Sequence, residues 1–119
     1  FLKEFYPTFD ENRERLPALY LEHAMLTFEG QAVQGIEAIV EKFKNLPFTD
    51  QVKHVITDPE KDVDIQPTAA DSILIVVTGL VQELGQPMPF RFSETFHIKL
   101  SEAGWRILNH VFRLQWPAA

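Results

Sequence analysis

Two residues of this 119-residue chain have the types and setting for proton chemistry. Glu94 interrupts an apolar strand face that reads Phe90, Phe92, Phe96, Ile98 and Leu100. His110 interrupts a second face made of Leu108, Phe112 and Leu114. The two segments flank a turn at Glu102-Ala-Gly104, so they should lie side by side. A carboxylate and an imidazole meeting inside a sheet have the makings of a general acid–base dyad. The competing reading is a buried pair or rim contact that satisfies its own hydrogen bonds, and it is preferred.

Other chemistries lack their residues. The chain has no Cys, which excludes disulfides, thiolate metal sites and a Cys nucleophile. Its four His have no metal-ligand spacing, and His23 and His97 are expected to be exposed. There is no Ser–His–Asp order, glycine-rich phosphate loop or basic–aromatic surface for RNA. A net charge of −6 argues against nucleic-acid binding and fits either a basic protein partner or simple solubility. No apolar run is long enough for membrane insertion, and no signal peptide is visible. The expectation is therefore no metal, no cofactor, and a cytosolic or nuclear setting.

Positioning any site falls to one stretch above all, Ser72-Ile-Leu-Ile-Val-Val-Thr-Gly-Leu-Val81. It is β-branched and apolar on successive residues, so it predicts a strand covered on both faces. Before it, apolar residues at 1, 2, 5, 6 and 9 predict a helix, with Pro7 near its end. A second short helix is predicted over Asp10–Tyr20, capped by Asp10 or Asn12 and weakened by Pro17. Ala24–Phe28 reads as a strand, turned by Glu29-Gly30-Gln31 and returning briefly at Ala32-Val-Gln. Ile36, Ile39, Val40, Phe43 and Leu46 form the stripe of an amphipathic helix that Pro47 stops. Gln51–Thr57 reads as a strand, and Asp58–Asp64 as a charged loop or bulged continuation. A turn at Gly85-Gln-Pro87 and the two alternating strands Pro89–Leu100 and Trp105–Trp116 complete one α+β domain over 1–119, with helices first and an antiparallel meander after. The first residue is Phe rather than Met, so residues before it are expected to have been trimmed.

The assembled segments resemble the nuclear transport factor 2 family. Those that carry the resemblance are Phe9-Asp-Glu-Asn-Arg13, Leu26-Thr-Phe-Glu-Gly-Gln31, Gly35 with Ile39-Val-Glu-Lys42, Leu46-Pro-Phe48, His54-Val-Ile-Thr57, Gln66-Pro-Thr68, Phe92-Ser-Glu-Thr-Phe96 and Phe112-Arg-Leu114. They stand in family order over nearly the whole chain. The resemblance implies a cone: a strongly bent antiparallel sheet wrapped over N-terminal helices and one further helix, enclosing an apolar cavity and pairing through its outer sheet face. It further implies a non-enzymatic carrier, without cofactor, that takes GDP-bound Ran into the nucleus while touching Phe-Gly repeats of nuclear-pore proteins. Such a carrier works in cytoplasm and nucleus and at the nuclear envelope.

By the same resemblance, Phe28, Leu46, Phe48, Phe112 and Leu114 line the pocket that accepts a Phe of the GTPase, and Glu29 meets one of its basic residues. The plain alternative for the Phe residues is core packing, and for Glu29 a solvated turn. Val76, Thr95 and Val111 match the dimer seam; by strand alternation Leu74 joins Val76 there, both pointing opposite to Ile73, Ile75 and Val77. An apolar outer face independently calls for a cover, since left bare it would aggregate. The stretch Gln82-Glu-Leu-Gly-Gln86 departs from the family, whose transport factors carry several Asp there to grip a GTPase lysine; only Glu83 is acidic here. That departure implies weaker Ran binding. The ending Phe112-Arg-Leu-Gln-Trp116 leans towards a cousin, the small mRNA-export cofactor that heterodimerises with a larger cone-fold protein. Related cones include hydratases and isomerases, which keeps Glu94 and His110 in view as a minor enzymatic alternative.

Overall fold

In the computed structural model, residues 1–11, 13–45, 52–55, 59–83 and 88–115 are described. Helix α1 (Leu2–Glu11) opens the chain, followed by a 3-10 segment (Arg13–Leu19), strands β1 (Tyr20–Phe28) and β2 (Gln31–Gln34), and helix α2 (Ile36–Lys44). Strand β3 (Val52–Val55), a single-turn helix α3 (Pro59–Asp62), and strands β4 (Val63–Pro67), β5 (Ser72–Glu83), β6 (Phe90–Ser101) and β7 (Gly104–Gln115) complete it. The fold is the expected α+β arrangement. Its seven-stranded sheet runs β2-β1-β7-β6-β5, with β3 and β4 each taking part of the far edge of β5. Pairing is antiparallel throughout except between β1 and β7, which run parallel and make the sheet mixed.

One face of the sheet packs on α1. Phe5, Tyr6 and Phe9 are buried, and the Phe5 ring meets Phe96 edge to face at 4.8 Å. That anchorage explains why α1 runs straight through Pro7 instead of ending near it. The second segment folds as a 3-10 turn rather than the α-helix expected, with Pro17 inside it, and it yields Tyr20 to β1. Asp10 belongs to α1, so it does not cap this segment. Gly35, at φ 91°, turns the chain from β2 into α2 and donates its N–H to Ala24 O at 2.8 Å.

Three local readings are corrected. Residues Val63–Pro67 form a strand paired with Ile73–Val77, where a loop or bulge was expected through Asp64. On β7 the register slips opposite His97 and Ile98, so that Ile107, not Leu108, faces the core. Leu100, expected on the apolar face, is 48% exposed at the hairpin end, paired with Trp105. The expected turn at Gly85-Gln-Pro87, the helix end at Leu46 and Pro47, and the cap Asn12 lie outside the described residues.

Candidate functional site

Glu94 and His110 do meet, one step along the paired strands: Glu94 lies opposite Phe112, and His110 opposite Phe96. His110 Nε2 stands 2.5 Å from Glu94 Oε2. The other two partners come from elements the sequence did not connect to them. Tyr6 of α1 donates its hydroxyl to Glu94 Oε1 at 2.8 Å, and Tyr20 of β1 lies 2.7 Å from His110 Nδ1. All four side chains are buried. Phe96 stacks on the imidazole at 4.4 Å and Phe5 abuts it edge-on at 5.4 Å.

Proton placement follows from the partners. Burial pushes the Tyr6 phenol far above its ordinary value, and the neighbouring Glu94 charge and hydrogen bond push it further. Burial, then the Glu94 charge, does the same to Tyr20. Both phenols therefore keep their protons and donate. Tyr20 gives its proton to Nδ1, His110 gives the Nε2 proton to Glu94, and Tyr6 gives its own to the second carboxylate oxygen. Both nitrogens and both oxygens are engaged by protein, and no buried side-chain polar atom among the described residues lacks a partner. Such a chain ties α1, β1, β6 and β7 together through buried hydrogen bonds.

At the end of β1, Phe28 and Phe112 stack face to face, 4.7 Å apart and 9° from parallel, and Phe112 stacks in turn on Phe92 at 5.8 Å. Both Phe28 and Phe112 are buried, and Leu114 is half-buried beside them. These rings form a buried aromatic wall at this end of the sheet. Leu46 and Phe48, the other two expected pocket residues, lie outside the described residues. Glu29 sits at the rim in a left-handed turn, φ 52°. Its N–H donates to Phe112 O at 3.0 Å, and its Oε1 accepts the N–H of Leu114. The carboxylate is thus built into the strand end rather than waving in solvent. Lys42 Nζ lies 5.8 Å from the Phe28 ring centre, bringing a cation to the same rim.

The opposite face of β5, β6 and β7 carries Leu74, Val76, Thr95 and Val111. Register places Leu74, His97, Asn109 and Met25 in one row across four strands, and Val76, Thr95, Val111 and Thr27 in the next. Neither row holds an acidic residue, a Lys or an Arg until Asp64 on β4 is reached. Val111 is 42% exposed and Met25 40%. His97, expected to be exposed, is half-buried: its Nδ1–H donates to Asn109 Oδ1 at 3.1 Å while Nε2 accepts from Thr68 at 3.0 Å. A shallow hollow of about 300 Å³ lies among these side chains.

A feature the sequence reading missed lies elsewhere. Between the 3-10 segment and α2 opens an apolar cavity of about 220 Å³. Pro17 lies within the first element and lines the cavity, and the α2 stripe on its other side was legible as Ile36, Ile39, Val40 and Phe43. The hollow itself leaves no mark in a sequence.

Comparison with known proteins agrees with this architecture. Residues 1–114 match the nuclear transport factor 2 (NTF2) domain. The chain is 42% identical over 118 residues to nuclear transport factor 2B of Arabidopsis thaliana, covering 98% of this chain and 90% of that protein. It superposes on nuclear transport factor 2 from Cryptosporidium parvum with a TM-score of 0.86 at 37% identity, covering 97% and 89% of the two chains. It also superposes on the yeast UBP3-associated protein BRE5, TM-score 0.81 at 27% identity over 97% and 91%. On this whole-length match the chain belongs to the nuclear transport factor 2 family.

Proposed function

We propose that this protein is a non-enzymatic nuclear transport carrier: a homodimer that binds GDP-bound Ran at the Phe28–Phe112 end of its sheet and Phe-Gly repeats of nuclear-pore proteins elsewhere on its surface. Its relatives support the nuclear transport role, and with it movement between cytoplasm and nucleus. One observation of the molecule carries the finer reading: Glu29, a carboxylate fixed by the Leu114 N–H at the rim of the aromatic wall of Phe28 and Phe112. That arrangement suits a partner offering an aromatic side chain beside a basic one. Selective release needs only a difference in affinity between the two nucleotide states, which follows when exchange reshapes the switch, since a carrier shifts an equilibrium by its differential affinity alone. The uncharged rows around Val76, Thr95 and Val111 support self-pairing of the outer face.

A second reading, an adaptor that pairs with a different protein rather than carrying Ran, draws on the likeness to BRE5, itself UBP3-associated. The buried hydrogen bonds of Tyr6 and Tyr20 to Glu94 and His110 favour the structural reading of that pair over the enzymatic one. Calorimetric titration with Ran loaded with GDP and then with GTP tests the carrier. Binding confined to the GDP form is the expected result. Equal binding of both forms, or of neither, would refute it and favour the adaptor.

A further inference from the structure

From the cavity between the 3-10 segment and α2, we infer that the chain has a small-molecule site for a single aromatic ring bearing a carboxylate. Its inner lining is Leu16, Tyr20, Ile39 and Phe43, all buried. Of these only Tyr20 carries a heteroatom, and that hydroxyl is already given to His110. A guest therefore finds no hydrogen-bonding side chain in the inner part and must present apolar surface there. Size sets the rest: an apolar cavity of about 150 Å³ suffices for benzene, so about 220 Å³ admits one ring and a short substituent. Half-buried Pro17, Ile36 and Val40 extend the apolar wall outward, which makes this an open pocket rather than a sealed packing defect.

The outer residues decide the polar end. Among the described residues, Arg13, Lys44 and Glu14 make up the rest of the lining, two cations against one anion. Arg13 is already committed: its Nε–H donates to Phe9 O at 3.2 Å and its guanidinium lies 4.5 Å above the Phe9 ring. It contributes a fixed positive field. Lys44, exposed in the last turn of α2, is the cation that can move to meet a carboxylate. The site is separate from the Phe28–Phe112 wall, with which it shares no lining residue, so it stands or falls independently of GTPase binding.

Phenylacetate is the probe, with its neutral amide as control, titrated into the full chain while the methyl resonances of Ile36, Ile39 and Val40 are followed. Saturable shifts at these methyls are expected, with half-saturation on the order of 1 mM for a ligand of about ten heavy atoms. The amide should bind roughly threefold more weakly, and Lys44→Glu should weaken phenylacetate by a similar factor while leaving the amide unchanged. Val40→Phe, which fills the pocket from its half-buried wall, should abolish the shifts in a protein whose spectrum stays folded. Non-saturating shifts in the wild-type chain, or saturable shifts of the same size in folded Val40→Phe, would overturn the site. Equal affinity for acid and amide would overturn the carboxylate assignment. Because the wild-type titration needs no variant, a misfolded Val40→Phe leaves the test intact.

Discussion

The two faces of β5, β6 and β7 are built from alternate residues of the same three strands, yet they treat polarity in opposite ways. The inner face buries a carboxylate, an imidazole and two phenols, and every one of their polar atoms has a protein partner. The outer face exposes Val111, continues onto Met25 of the neighbouring β1, and keeps charge to its borders. Ionisable residues on the inside thus mark closure, while bland residues on the outside mark unfinished business. A face is functional where its physical needs are unmet by its own chain, whatever its residue types.

The largest way to break that contrast is to open the inner chain. Glu94→Ala removes the shared acceptor of Tyr6 and His110 and should cost about 3–5 kcal/mol in urea unfolding. Replacing the whole chain with apolar groups, Glu94→Leu and His110→Phe together with Tyr6→Phe and Tyr20→Phe, should cost less than Glu94→Ala, because no buried donor is then left without its acceptor. A fourfold variant as damaged as Glu94→Ala would mean the chain does more than satisfy itself.

Next comes the outer face. Val76→Glu or Val111→Glu should leave the monomer folded and weaken self-association by about 3 kcal/mol, roughly 100-fold, read by light scattering against concentration. A charged variant that stays dimeric would remove Val76 and Val111 from the seam.

Alkali separates the faces without mutation. Tyr6 and Tyr20 both have folded-state pKa values raised by burial, above the ordinary phenol value of 10.0. Their stabilising contribution is therefore fully present below about pH 10 and lost above it, as the unfolded chain releases protons the folded chain keeps. Unfolding free energy should fall above pH 10 by up to about 2.7 kcal/mol per pH unit for the two phenols together. Tyr20→Phe should halve that slope. An unchanged slope would place the titrating groups elsewhere.

How far these features were legible depends on whether their causes are local. The alternation of Phe90, Phe92, Phe96 and Ile98 named β6 and its buried face outright, because a period of two survives in the sequence. Glu94 and His110 could be matched as neighbours, because the hairpin joining their strands is short. Tyr6 and Tyr20 could not be matched to them, since they arrive from 88 and 90 residues away on elements whose packing no pattern encodes. Strand β4 was hidden by charges: Asp62 and Asp64 flank Val63, and only Val63 and Ile65 hint at the alternation that faces Val77 and Ile75. The slip that turns Ile107 inward belongs to the twist of the β6–β7 hairpin, not to either strand alone. The outer face was read from Leu74 and Val76 alternating with Ile73, Ile75 and Val77; Ile75 and Val77 are buried, while Ile73 is half-buried, as are Leu74 and Val76.

The smallest expected effect sharpens the rim. Glu29→Gln keeps the acceptor for the Leu114 N–H but removes the charge, so the turn should hold while affinity for GDP-bound Ran falls by less than about 1 kcal/mol. A loss of tenfold or more, found in Kd by calorimetry, would make Glu29 a desolvated anchor instead of a rim charge.

Sedimentation of the chain mixed with GDP-bound Ran is the most direct test of both faces at once, because mass reports the dimer and its cargo together. A complex of two carrier chains with two Ran molecules, absent when Ran holds GTP, is the predicted result. A monomeric chain that fails to bind Ran in either state would contradict the homodimeric carrier outright.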